Sequence, residues 1–490
     1  QAWKEKLRGE AGKSGRAVFY APGSWCGMTP SVRTNHRIAG STDRISYIHR
    51  HSHKDAILER YRFGDELKTG AYVTVTPIWD RSTGRTRLCK TVRAPSCMAK
   101  FNGARGEARY LTTLDHPNIV RLFEFSENAT LAEVALVLEP LPGGTCAEFL
   151  LRSAGLIAEV TVGRIASQVC AALAHCHARG IVHRDVNLDN IVLASPPRSG
   201  TAMVAKLTDF GLACRCTDGN MELQDAVGTL EYMAPELLVN AVTGCRFDLA
   251  KGLQEPFTPK ADVWALGIVT MEMLVGSNPA RSRDSVATVK TILGGAKALE
   301  ANVAGATAWS GRSAACKEAV FGLLCPALAR RRSAAQAVEM EWLKTSLADN
   351  GSSSNSRGVV DHEIFTGLSL LAQSPSIVRS CLKLLASDVQ DPACTRVCRA
   401  FVAMDLDHDG FLSMQDLQHL EHSLESTLDC PLPKIVHKLE DSRGRRGMGL
   451  CTLLAAWLRT QYKSSDDMLA EVFRVLDRDC DGVIAEEDVV

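Results

Sequence analysis

Residues 405–416 read DLDHDGFLSMQD and residues 477–488 read DRDCDGVIAEED. Carboxylates stand at loop positions 1, 3 and 5 of each: Asp405, Asp407 and Asp409 in the first, Asp477, Asp479 and Asp481 in the second. Gly410 and Gly482 at position 6 supply a sharp turn, and Leu412 and Ile484 at position 8 are apolar anchors. Phe411 and Val483 at position 7 offer backbone carbonyls, Ser413 stands at position 9, and Asp416 and Asp488 close the loops. A hard cation takes six to eight oxygens in a compact ring, which this alternation around a glycine can supply, so both stretches are candidate calcium sites. Each ends in Asp where the longer Glu would reach the ion with both oxygens, so weaker calcium binding or more competition from magnesium is expected.

Asp441 lies 36 residues after Asp405 and 36 before Asp477, which marks an internal repeat. The middle unit, DSRGRRGMGLCT, places Arg443 and Arg445 where ligands belong and is expected to be structural only. Its apolar flanks Ile435, Leu439, Leu453, Leu454 and Trp457 suit a unit that still pairs with the first. The third loop is followed by only two residues, so its exit helix and a fourth unit are expected beyond Val490.

A second set of residues precedes these loops. In chain order it comprises Lys90 in RLCK, Glu107 in GEARYLTTLDHPNI, HRDVNLDN from His183, DFG from Asp209, APE from Ala234, DVWALG from Asp262, and Arg331 before SAAQA. In this order and spacing the set resembles the eukaryotic protein kinases across about residues 61–343. With the calcium loops behind it, nearly the whole chain resembles a calcium-dependent protein kinase of the plant and protist type, a serine/threonine kinase domain followed by EF-hands.

The resemblance implies an α+β, bilobal kinase fold with a C-terminal all-α EF-hand domain; the small lobe would be a five-stranded sheet with one main helix. It implies ATP, Mg2+ and Ca2+ as cofactors. Lys90, held by Glu107, would grip the α/β-phosphates; Asp185 would orient the substrate hydroxyl and take its proton; Asn190 and Asp209 would hold magnesium. Gly70, Val75, Leu88, Glu139 and Asn187 would line the nucleotide. Glu236 and Arg331 would form an ion pair beneath the peptide-binding segment. Asp189 and Glu272 match positions that read basic residues beside the phosphorylated Ser or Thr, so protein substrates carrying Arg or Lys there are the expected partners.

Three departures weaken the machinery. The glycine-rich loop, LKTGAYVTV, keeps Gly70 but has Lys68 and Val73 where the family has glycines. Leu88 stands where a small Ala normally lies flat on adenine. Asn187 replaces a lysine aimed at the γ-phosphate, a loss of order 2–4 kcal/mol in transition-state stabilisation by analogy with removing another electrostatic donor. That is roughly a 10²- to 10³-fold slowing and not an abolition. On this reading the kinase works with reduced efficiency, and Asn187→Lys would raise its rate; the alternative is a calcium-gated pseudokinase scaffold that binds partners without transferring phosphate.

The elements that must position these residues can be sketched. AYVTVTPIW, a turn at residues 80–84 and TRLCKTV read as a β-hairpin. ADVWALGIVTMEMLVG is apolar almost all round and reads as a buried central helix. CAALAHCH, residues 170–177, reads as core. Residues 344–392 read as a linker and autoregulatory junction helix, with Ile364, Phe365, Leu368, Leu371, Leu382 and Leu385 as the apolar face offered to an opened hand. Residues 1–60 read as an irregular basic extension, residues 393–490 as the calcium domain, and residues 240–256 as a surface insert.

The bulk composition agrees with a multidomain globular chain: 490 residues, 46% hydrophobic and 23% charged. Basic and acidic residues balance at 56 each, so charge selects no nucleic-acid partner. Its distribution is uneven: residues 1–60 carry 11 Lys/Arg against 5 Asp/Glu, and residues 393–490 carry 11 against 18. Seventeen cysteines without a Cys-x-x-Cys pair read as reduced thiols of a cytoplasmic protein. No run is long and apolar enough for a transmembrane segment. A lipid anchor could lie upstream, since the chain opens on Gln1.

Overall fold

The computed structural model describes residues 49–51, 55–155, 157–197, 203–216, 227–238, 258–303, 305–348, 362–389, 394–417, 431–439, 447–462 and 465–476. The third calcium loop, with Asp477, Asp479, Asp481, Val483 and Asp488, lies outside these residues, as do Arg443 and Arg445 and the insert at 240–256. By its contacts the chain divides into two units, one of residues 36–140 and 352–490 and one of residues 1–35 and 141–351.

The first unit begins with a sheet built from β1 (His49–His51), α1 (Asp55–Arg60), β2 (Tyr61–Phe63), β3 (Lys68–Thr69), β4 (Val73–Asp80), β5 (Thr86–Arg93), α2 (Met98–Leu111), β6 (Leu122–Asn128) and β7 (Glu133–Leu138). The strands run β1-β6-β7-β5-β4-β2, with β3 also on β4. The β4–β5 hairpin forms where the turn residues place it. Asp80 Oδ1 accepts from Ser82 N (3.0 Å) and Thr83 N (2.9 Å), and Gly84 takes the positive φ of 68° that the turn requires.

Two features differ from the expected five strands. The first is interrupted into β2 and β3, with Gly64 between them; a Cβ there would lie 2.7 Å from the Trp79 ring. The stretch read as irregular also contributes β1, parallel to β6, and helix α1. Arg60, the last residue of α1, is buried against Asp80 Oδ2 (2.8 Å) and Glu124 Oε1 (2.7 Å), and Tyr61 donates to Glu124 at 2.9 Å. Burial opposes charge on Asp80, but Arg60 and the turn bonds outweigh it and hold the carboxyl below its ordinary range.

The second unit carries β8 (Gly144–Thr145), α3 (Cys146–Arg152), α4 (Glu159–Ala178), β9 (Ile181–Val182), β10 (Ile191–Leu193), β11 (Ala205–Leu207), β12 (Cys214–Arg215) and α5 (Lys260–Val275). Helices α6 (Ser285–Leu293), α7 (Gly295–Val303), α8 (Thr307–Ser310), α9 (Ala314–Leu323), α10 (Ala334–Val338) and α11 (Glu341–Ala348) follow among the described residues. Every residue of α5 from Ala261 to Leu274 is buried, so the helix is apolar almost all round because it is enclosed all round, with Asp262, Thr270 and Glu272 as its buried polar residues. The residues 170–176 are core: Cys170 and Cys176 are fully buried, and burial pushes the Cys170 thiol up to about 12.

The first unit resumes with α12 (His362–Gln373), α13 (Ser376–Asp388), α14 (Cys394–Met404), α15 (Leu432–Leu439), α16 (Leu450–Gln461) and α17 (Ser465–Leu476). The junction is two helices and not one, because Pro375 has no N–H for a helix interior and opens α13 instead. Ile364, Phe365, Leu368, Leu371, Leu382 and Leu385 are buried in one core with Val397, Phe401, Ile435, Leu439, Leu453 and Trp457. Gly367 lets α12 approach α16 closely, since a Cβ there would lie 2.2 Å from Ala456 O.

Candidate active site

In the first unit, strand pairing sets Lys90 opposite Val75 on β4 and Leu136 on β7, while Leu88 pairs with Pro77 and Leu138. Lys90 Nζ donates to Glu107 Oε1 and Oε2 at 2.9 and 2.8 Å. Glu107, on α2, is 1% exposed, so this is a nearly dry ion pair that fixes the ammonium against the sheet. Gly70 closes the tip of the phosphate-loop hairpin by donating to Val73 O at 2.8 Å. Glu139 is fastened to the end of the sheet: its N–H donates to Arg121 O (3.0 Å) and its Oε1 accepts from Arg121 N (2.7 Å).

In the second unit, the loop 183–190 is anchored from below by Asp262 of α5. Its carboxylate accepts from the backbone N–H of His183 and of Arg184, both at 2.8 Å, and pairs with His177 Nε2 at 2.9 Å. Burial opposes its charge, but the His177 contact and the loop N–H groups outweigh that and keep it below the ordinary range. The anchored loop holds Arg184 at a φ of 67°, and Asp209 sits at 62°, two left-handed non-glycine residues at the chemical centre.

Asp185 is held on both carboxylate oxygens. Asn190 Nδ2 donates to Oδ2 at 2.9 Å, while Thr229 donates to Oδ1 from its N (3.2 Å) and Oγ1 (2.9 Å). Thr229 was missed in the sequence, where the Gly-Thr pair five residues before APE is the only signal. Gly228 is needed beside it: its φ is 119°, and a Cβ would lie 2.6 Å from Arg184 O. The Asn187 side chain turns onto its own loop, with Nδ2 donating to Asp185 O (3.1 Å) and Oδ1 accepting from Asp189 N (3.0 Å) and Asn190 N (3.1 Å).

The donor set suits magnesium. Asn190 commits its side-chain N–H groups to Asp185, which leaves the amide oxygen outside those bonds, and Asp209 offers a carboxylate; oxygen donors of this kind are what a hard cation takes. Arg331 and Glu236 form the expected ion pair, and the structure makes it bidentate at 2.7 and 2.9 Å, with the Arg331 side chain fully buried. Glu272 accepts from Tyr232 OH (2.7 Å) and Asn278 Nδ2 (2.8 Å), and burial raises its pKa.

The first calcium loop gathers Asp405, Asp407 and Asp416, whose carboxylate oxygens lie within 4.8 Å of one another. Asp405 Oδ2 accepts from Gly410 N at 2.9 Å, Asp409 Oδ1 from Phe411 N at 2.7 Å, and Asp416 from Leu406 N (3.0 Å) and Ser413 N (2.8 Å). Asp405 Oδ1 is buried with no hydrogen-bond partner. Burial, then Asp409, Asp407 and Asp416, push its carboxyl up to about 8. A buried, unpartnered oxygen among mutually repelling carboxylates is what a divalent cation would relieve, so these residues fit calcium. Leu412 and Met448, position 8 of the first and middle loops, form a two-bond antiparallel bridge (2.8 and 3.0 Å), so the middle unit does pair with the first.

The protein kinase domain model matches residues 61–343, and the EF-hand domain pair model matches residues 395–490. Calcium-dependent protein kinase 5 of Plasmodium berghei is 23% identical over 433 residues, which cover 88% of this chain and 71% of that protein. Calcium-dependent protein kinase 2 of Zea mays is also 23% identical, over 88% of this chain and 78% of its own. Serine/threonine-protein kinase DCLK2 of Rattus norvegicus is 32% identical over a shorter stretch, 47% of this chain and 27% of that one. With a kinase model covering more than half of its length and the catalytic-loop geometry to match, this chain belongs to the protein kinase family and carries an EF-hand pair behind its kinase domain.

Proposed function

We propose that the protein transfers the γ-phosphate of ATP to Ser or Thr of protein substrates under calcium control, at reduced efficiency. The observation that carries this is Asp185, whose carboxylate is oriented from both sides by Asn190 and Thr229. A carboxylate so fixed can hold a substrate hydroxyl in line and accept its proton as the bond to phosphorus forms. Lys90 binds the α/β-phosphates, and Asn190 and Asp209 hold magnesium, which when bound neutralises charge on the transferred group. The rate is limited by the missing glycines at 68 and 73, by Leu88 beside the adenine, and by a neutral Asn187.

Substrates are expected to carry Arg or Lys near the phosphorylated residue, read by Asp189 and Glu272. The calcium domain supplies the control through the apolar junction helices, which already share its core. The alternative, a scaffold without transfer, is favoured by one observation: the Asn187 amide is turned onto its own loop. Phosphorylation of a basic peptide by wild type and by Asp185→Asn separates the two. Transfer by wild type that the variant loses supports the kinase; equal background in both supports the scaffold.

A further inference from the structure

Asn187 is 5% exposed, and its amide is used from both ends. The oxygen accepts from the N–H of Asp189 and of Asn190, which closes the turn from 187 to 190, and the nitrogen donates to Asp185 O. The turn already carries a backbone bond, Asn190 N to Asn187 O at 3.2 Å, and the Asn187 side chain adds two acceptor bonds over the same residues, so it braces the turn. The same Asp185 carbonyl also accepts from Asn190 Nδ2 at 2.8 Å. Two asparagines therefore converge on one carbonyl, and Asn187 fixes the backbone on which the other sits.

Resting on the proposed kinase reading, we infer that Asn187 is a positioning residue for Asn190, and that its side chain sets how much magnesium nucleotide binding requires. Asn190 can present its amide oxygen to a cation only while its N–H groups stay on Asp185, and that orientation depends on the turn Asn187 closes. Asn187→Lys is then a trade and not a simple gain: it adds a positive charge but removes two acceptor bonds and one donor bond from the loop. The expectation from sequence, that this lysine would speed transfer, counts only the charge.

The test is the magnesium midpoint for binding of a fluorescent ATP analogue to the full chain, read without catalysis. Asn187→Ala should raise that midpoint ~10-fold, the cost of about one lost cap, while the rate at saturating magnesium changes less. Asn187→Ser, whose hydroxyl can accept from the same N–H groups, should stay within ~3-fold of wild type, and Asn187→Lys should follow Ala. Should Asn187→Ala fail to fold, Ser and Lys carry the test, with Ser near the wild-type midpoint and Lys well above it. Variants that all share the wild-type midpoint, or a Lys variant that needs less magnesium, would overturn the inference. A wild type that binds no analogue at any magnesium concentration would instead overturn the kinase reading itself.

Discussion

Arg87 of the sheet grips Asp388 at the end of the junction, 301 residues away, donating to its carboxylate and, at 3.4 Å, to its backbone carbonyl. The guanidinium is almost enclosed and lies 3.9 Å over the Phe123 ring. Beside it, Arg121 Nη1 donates to the carbonyls of Ala386 (3.2 Å), Ser387 and Val389 (both 3.3 Å), satisfying the open end of α13. Asp115 accepts from Cys451 N at 3.0 Å, which adds the start of α16 to the same contact. The kinase sheet and the calcium domain are thus fastened within one unit by charge-assisted bonds to helix ends.

Arg87→Ala should weaken that fastening and cost about 1.5 kcal/mol, because Asp388 loses one charge-assisted partner while keeping Arg85. Hydrogen exchange across residues 376–389 should accelerate while the apolar core of the hands stays protected. Unchanged exchange there would mean that the arginines follow the helix end without holding it.

Lys90→Met should lose phosphotransfer and should also lower the melting temperature, since Glu107 would remain 1% exposed with its cation gone. Lys90→Met with Glu107→Leu should regain part of the stability and none of the activity. Recovery of activity in the double variant would remove Lys90 from the chemistry.

Acid should loosen the catalytic loop through Asp262. Its folded pKa lies below its ordinary value of 3.8, so its stabilisation is present above that value and is lost as the pH falls through the folded pKa. Thermal melting followed from pH 6 to pH 3 should show an acid limb that Asp262→Asn flattens, at the cost of a lower melting temperature at pH 6.

Calcium should act through the first loop. Asp405→Ala with Asp409→Ala removes position 1 and position 5 ligands and should abolish calcium stimulation, whereas Asp416→Glu, with its longer arm, should lower the calcium concentration required. Weakening the site must weaken the switch, because a ligand shifts an equilibrium only by its differential affinity for the two states. Calorimetry on the three proteins checks this, and stimulation that survives the double substitution would contradict it.

What the sequence made legible were features with a local cause. The hairpin turn follows from Asp80 and Gly84, the enclosed helix from a mostly apolar run ending before Gly276, and the ligand ring from alternating Asp around Gly410. Strand β1 was not legible, since three residues in a basic, His-rich stretch have no period and gain their partner only by lying beside β6. Nor was the break at Pro375, because the apolar spacing runs through it and either side is helical. The arginine contacts on α13 join residues hundreds of positions apart, and the role of Thr229 depends on a left-handed Gly228 that brings it to Asp185.

Phosphate transfer by this protein should be governed by calcium. Radiolabelled-ATP transfer by the full-length protein to a basic peptide, measured with calcium and with a chelator, tests it most directly. Slow but measurable transfer that rises with calcium and disappears in Asp185→Asn is the expected result. Transfer equal to that of Asp185→Asn at every calcium concentration, or transfer indifferent to calcium, would contradict it.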